Sequence, residues 1–188
     1  LVAIAPELHA TEEPRRLFTA VTQWRDTSDT EVSDTSAVWE LYLLGMAAPC
    51  LGAVPKLIQR MKLQKEIAGR LRRLSDMHRI EQKVVEGLIT SASAFYTSVH
   101  ALPPKIVFMA AITHPDNTVR KMSISYYQKH RHMQLPIDGH TLESLGIPEG
   151  PVYGKILNAV RLAMIDGYVK TKQDASDKAL AIWERSEQ

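Results

Sequence analysis

Apolar residues recur along this chain at intervals of three and four, and rarely at intervals of two. Leu17, Val21 and Trp24 form one such set; Ile67, Leu71 and Leu74 form a second; Ile80, Val84 and Leu88 form a third. This spacing places each set on one face of an α-helix. Punctuation residues fall between the sets. Thr11 followed by Glu12, Glu13 and Pro14 reads as an N-cap and first turn. Asp26 to Ser36 reads as a polar loop, with Ser33 or Thr35 capping a helix through Val38, Leu41, Tyr42 and Leu44 that Pro49 stops. A short basic helix is expected from Val54 to Lys62. One or two longer helices follow from Glu66 to about Ile89, weakened by Gly69 and Gly87.

The second half continues in the same manner. Ser91 or Ser93 is a candidate cap for a helix carrying Phe95, Tyr96 and Val99. Pro103 and Pro104 separate it from a helix over Lys105 to Ile112. Asp116 or Asn117 caps a helix from Thr118 to His132, with Val119, Met122, Tyr126 and Met133 on its apolar face. Leu142 and Leu145 mark a short helix closed by Gly146, and the turn Ile147–Gly150 leads to Pro151 at the start of a longer one. Val152, Ile156, Val160 and Met164 give that helix its core face. No sustained alternation marks a strand. The expected fold is all-α: an irregular multi-helix array of roughly eight to ten helices of about 11 residues each. Pro136 to Gly139 is the expected boundary between a helical body, residues 1–135, and a helical tail, residues 136–188. No internal repeat of fixed period is evident.

Composition narrows the reading. The 188 residues are 45% hydrophobic and 23% charged, which is ordinary for a folded chain. A single cysteine, Cys50, excludes an internal disulfide framework and a cysteine-based zinc site. The longest uncharged apolar run, Leu41 to Val54, is shorter than the ~20 residues of a membrane span. No membrane partner is expected, and a cytoplasmic location is. The chain begins at Leu1 without a secretory pattern, as expected of a piece of a longer protein.

Net charge is only +2, but the charges are segregated. Acids dominate up to Glu40. Lys56, Arg60, Lys62, Lys65, Arg70, Arg72, Arg73, Arg79 and Lys83 dominate the next stretch, and Arg120, Lys121, Lys129, His130, Arg131 and His132 form a second basic cluster. Segregation of this kind points to a polyanion or to a solvated helix surface.

Catalytic signatures are missing from the sequence. There is no phosphate-cradling Gly-rich loop, no Gly-x-Ser-x-Gly, and no Asp-x-Asp pair to hold two metal ions. His130 and His132 flank Arg131, where adjacent cations disfavour a metal. The chemically suggestive element is the helix start at Gly150–Lys155. Its free N–H groups, the helix dipole and Lys155 suit a phosphate; equally, Gly154 suits close packing of a second helix. Lys155, Asn158 and Arg161 form a polar stripe along that helix. Tyr153 is the aromatic residue placed to meet a nucleic acid or to pack.

The run Leu142-x-x-Leu145-Gly146-Ile147-Pro148-x-Gly150-Pro151-x-x-Gly154-Lys155-Ile156-Leu157, followed by Asp166-Gly167-x-Val169-x-Thr171, resembles the C-terminal region of the bacterial class II tRNA nucleotidyltransferase/poly(A) polymerase family. Leu1-Val-Ala-Ile-Ala-Pro-Glu-Leu resembles the start of that family's body domain, with Ala5 where a His is common. Ala94-Phe-Tyr-Thr, Leu102-Pro-Pro and the basic helix through Arg131 and His132 resemble its A-adding branch.

The resemblance implies a body-plus-tail piece lacking the catalytic head and the nucleotide-selecting neck, which would be its N-terminal partners. The piece itself would have no catalytic residues and no cofactor. The parent would add AMP, or CMP and AMP, to tRNA or another RNA 3′ end, using Mg²⁺ and ATP, or ATP and CTP. The implied RNA-binding residues are Gly150, Gly154, Lys155, Arg161, Arg120, Lys121, Lys129, Arg131 and His132. Two other classes fit parts of the pattern: an all-α protein-interaction or oligomerisation module pairing the acidic and basic segments between chains, and a helix-hairpin-helix DNA binder.

Overall fold

A computed structural model of the chain describes Thr19 and residues 35–186. The expected helix after Thr11 and most of the Asp26–Ser36 loop lie outside the described residues. Among the described residues the fold is all-α, with nine α-helices and no strand. They are α1 (Thr35–Ala47), α2 (Val54–Met61), α3 (Lys65–Val85), α4 (Ala92–Val99), α5 (Pro104–Thr113), α6 (Asn117–Ser125), α7 (Gly139–Ser144), α8 (Val152–Ile165) and α9 (Lys172–Ser186). A 3₁₀ segment, Ala48–Ala53, joins α1 to α2, and a π-helical turn, Tyr126–His130, extends α6.

Two hydrophobic clusters form the interior. The first runs from Leu41 to Tyr127 and is centred on α5. Ile106 through Ala111 are all buried, so α5 is apolar around its whole circumference and packs on every side. A carboxylate enters this cluster. Glu40, 4% exposed, meets Arg70 Nε from α3 and Lys105 Nζ from α5, the latter at 2.8 Å. The second cluster runs from Ile137 to Ala179, with Leu142, Ile156, Val160, Ala175 and Ala179 at or near zero exposure. The interval between the clusters contains Pro136, where the sequence expects a boundary.

The apolar run that begins within α1 extends beyond Leu41–Val54 at both ends. Trp39–Met61, 23 residues with mean hydropathy 1.6, is long and apolar enough to span a membrane by length and composition. It is folded as two helices and a 3₁₀ segment, broken at Cys50 (φ −122°, ψ 47°), and Leu41, Leu44 and Ala47 are fully buried in the first cluster. Helix α1 ends at Ala47 and gives way to the 3₁₀ segment at Pro49, which has no N–H to continue the α-helical bonding.

One local corner is used twice. After α3, Gly87 (φ +73°) turns the chain; Leu88 N–H donates to Lys83 O at 2.8 Å, and Ile89 dives into the core. After α8, Gly167 (φ +81°) does the same; Tyr168 N–H donates to Ala163 O at 2.9 Å, and Val169 is buried. A positive φ at this position is what allows the 6→1 bond that closes a helix, and glycine adopts it without strain. The following helices are capped by Ser91, whose Oγ accepts from Ala94 N–H, and by Thr171 and Asp174.

Candidate nucleic-acid interface

Helix α6 begins at Asp116, whose carboxylate accepts from Thr118 and Val119 N–H at 2.8 and 3.0 Å. These bonds hold its carboxyl below the usual carboxylate range. Val119 and Ser123 point inward, and Arg120 and Lys121 are exposed. The expected continuous helix to His132 is replaced by a π turn in which Arg131 N–H donates to Tyr126 O at 3.0 Å. Tyr126, Tyr127 and His130 are all buried along it, while Gln128 and Lys129 stay outside. Lys121, Ile124, Ser125, Gln128 and Lys129 line one shallow surface groove.

Arg131 does not extend this row as the sequence reading has it. Its guanidinium carbon lies 3.9 Å from the centre of the Tyr127 ring, and its Nε donates to His132 Nε2 at 2.8 Å. Tyr127 in turn packs on Phe108 of α5, with ring centres 5.1 Å apart. Arg131 is therefore built into the wall of the first cluster, while His132 remains exposed.

At the other candidate element, Pro151 is the N-cap of α8. Gly154 and Lys155 are exposed, and nothing lies within 4 Å of where a Cβ on Gly154 would sit. Gly154 therefore makes no close helix–helix approach; that side of α8 faces open space. The same holds at Gly150, whose carbonyl accepts from Tyr153 N–H at 3.0 Å.

Tyr153 is a packing residue: its hydroxyl donates to Ile147 O at 2.9 Å, and its ring covers Gly139. Arg161 donates through Nη1 to Met133 O at 3.3 Å, which ties α8 to the chain leaving the π turn. Lys155 and Arg161 thus separate into one solvent-facing cation and one tether.

Pairing reduces the basic stretch on α3. Arg70 is held by Glu40, Arg73 lies 2.8 Å from Asp76 and also reaches Ala101 O, and Arg79 pairs with Asp76. The solvent-facing cations among the candidates are Arg120, Lys121, Lys129 and Lys155. Ammonium and guanidinium groups on a helical surface can contact phosphates without further chemistry. Among the described residues no three His, Cys, Asp or Glu side chains converge as a metal-binding group, and no catalytic step is derived through these residues.

Sequence reasoning missed a polar junction between the two clusters. Asp166, at the C-cap of α8, accepts from Ser93 N–H at 2.9 Å and from Ser93 Oγ at 2.5 Å. It therefore caps the first turn of α4 from across the molecule. His130 is 6% exposed, and its Nε2 lies 3.4 Å from Ser125 Oγ. Burial and Lys129 push its pKa down, and the Asp166 charge opposes them.

No family model, no curated protein and no solved structure matches this chain.

Proposed function

We propose that this chain is the RNA-holding, all-α portion of a protein of the class II tRNA nucleotidyltransferase/poly(A) polymerase kind. In this reading it grips tRNA or another RNA near its 3′ region, while nucleotide addition with Mg²⁺ and ATP, or ATP and CTP, belongs to a separate head and neck. The observation that carries the proposal is the exposed cationic surface of α6 and its π turn, where Lys121 and Lys129 share one groove and Arg120 lies alongside. Lys155, beside the open backbone at Gly154, supplies a further cation. A-form RNA offers proteins mainly phosphates, 2′-hydroxyls and a shallow groove, so a rigid helical array with outward cations suits it.

An oligomerisation module pairing acidic and basic segments between chains is less well supported. The Glu40 carboxylate is already engaged within the chain by Arg70 and Lys105. The test is charge reversal. Lys121→Glu with Lys129→Glu is expected to weaken binding of deacylated tRNA at least tenfold in a filter assay, with melting unchanged because both side chains are exposed. Lys155→Glu is expected to act in the same direction. Unchanged affinity in both variants refutes the assigned surface.

A further inference from the structure

The corner after α8 presents the most exposed large hydrophobic side chain among the described residues. Tyr168 is 82% exposed, against 70% for Leu88 at the twin corner and 46% for Trp39. Its backbone is nonetheless fixed on both sides. Ahead of it, Gly167 holds the left-handed turn and Tyr168 N–H is bonded to Ala163 O. Behind it, Val169 is buried, and Asp174 Oδ2 accepts from Lys170 and Thr171 N–H at 2.9 and 3.0 Å. Thr171 Oγ1 returns the bond to Asp174 N–H at 3.1 Å. A bare aromatic ring on an anchored backbone costs little ordering entropy when a partner lands on it.

Chemistry and size select the partner. Lys170 and Lys172 follow Tyr168 at two and four residues in the chain and are exposed. The nearby carboxylates of Asp166 and Asp174 already accept hydrogen bonds from Ser93 and from the α9 start. A stable protein interface covers about 800 Å² on each partner, far more than one ring supplies. A nucleobase needs only one ring face, and lysines beside it meet the adjoining phosphates.

We propose that Tyr168 is a stacking platform for an unpaired base of bound RNA, with the exposed Lys170 and Lys172 that follow it in the chain as phosphate contacts. This rests on the RNA-holding reading above, but it assigns a different kind of contact, to a base rather than to the backbone, and moves the aromatic role from Tyr153 to Tyr168.

The experiment measures anisotropy binding of the full chain to deacylated tRNA and to a blunt RNA duplex lacking unpaired bases. Tyr168→Ala is expected to lower tRNA affinity about tenfold. The salt slope should stay unchanged, since no cation is lost, and so should duplex affinity. Tyr168→Phe keeps the ring and is expected within twofold of wild type. Leu88→Ala removes a comparably exposed apolar side chain without removing a ring, and is also expected within twofold. Melting of Tyr168→Ala should match wild type.

Wild-type affinity in Tyr168→Ala, while the wild type binds tRNA, overturns the stacking role and leaves the RNA-holding reading in place. A loss in Leu88→Ala as large as in Tyr168→Ala, or an equal loss on the blunt duplex, also overturns it. Absence of tRNA binding by the wild type overturns both readings.

Discussion

Replacing Asp166 by alanine removes both acceptors that join the second cluster to the first turn of α4. Ser93 N–H then loses its partner at a helix N-terminus, and Ser93 Oγ loses its charged acceptor and keeps Ser91 Oγ at 3.1 Å. A hydrogen bond to a charged acceptor contributes about 1.5–3 kcal/mol when buried. Asp166 and Ser93 are only half-buried, so water recovers part of each bond. About 1 kcal/mol per bond is the appropriate scale, or about 2 kcal/mol for Asp166→Ala. In a chain of this size that corresponds to a fall in Tm of roughly 4–8 °C. Ser93→Ala keeps the backbone bond and should cost about half as much.

The assay is urea unfolding of the two single variants and the double variant, followed by circular dichroism and by tryptophan emission. Trp39 lies in α1, the helix that gives Leu41, Leu43 and Leu44 to the first cluster, and Trp183 packs against the second, so their emission reports on both. The double-mutant cycle should return a coupling of about 1 kcal/mol between Asp166 and Ser93. Destabilisation of Asp166→Ala by less than 0.5 kcal/mol, an order-of-magnitude threshold for ordinary surface substitutions, would refute the junction. So would additivity of the two single changes.

Two further outcomes follow from buried polar groups. Glu40→Gln withdraws the charge that Arg70 and Lys105 share. Breaking a fully buried pair costs about 3–5 kcal/mol, but these cations keep 30% and 28% side-chain exposure, which lowers the expectation to roughly 2–3 kcal/mol; a loss under about 1 kcal/mol in denaturant titration counts against it. His130 carries a depressed pKa, so below its ordinary 6.5 the unfolded chain binds the proton more readily than the folded one. Stability is therefore expected to fall as pH drops from about 6.5 through the depressed folded value, and His130→Gln should flatten that part of the curve. Glu81 has a raised pKa from burial, so its effect has the opposite sign: stability falls as pH rises above 4.5. An unchanged pH profile in His130→Gln contradicts the assignment.

Helix periodicity alone recovers much of this fold, because each helix buries one stripe. The helix expected from Val54 to Lys62 is α2, Val54–Met61, with Lys62 in the left-handed position that ends it, and Ser91 and Asp116 are caps in fact. The π turn after Ser125 was not legible. Tyr126, Tyr127 and His130 fall within an arc of about 100° on an ordinary 3.6-residue wheel, so the inward face looks the same for either helix type and nothing local announces the extra residue. The site was partly legible for the same reason. Exposure of Lys121, Lys129 and Lys155 follows from their positions opposite apolar stripes. Arg131 and Tyr127 stand only four residues apart, but the commitment of Arg161 to Met133 O and of Asp166 to Ser93 depends on residues far apart in the chain. Single-helix patterns carry no information about such pairings. Tyr168 could have been found by combining the Gly167 cap with the burial of Val169, since alternating direction after the turn sends Tyr168 outward.

The central claim is that solvent-facing cations on a rigid helical array hold RNA through its phosphates. The measurement that tests it most directly is the affinity of the wild-type chain for deacylated tRNA across a salt series, with duplex DNA of matched length as competitor. If Arg120, Lys121, Lys129 and Lys155 each meet a phosphate, log affinity should fall against log salt with a slope of about −3 to −4, and tRNA should outcompete the DNA. A slope near zero, or no preference for tRNA over duplex DNA, contradicts the account.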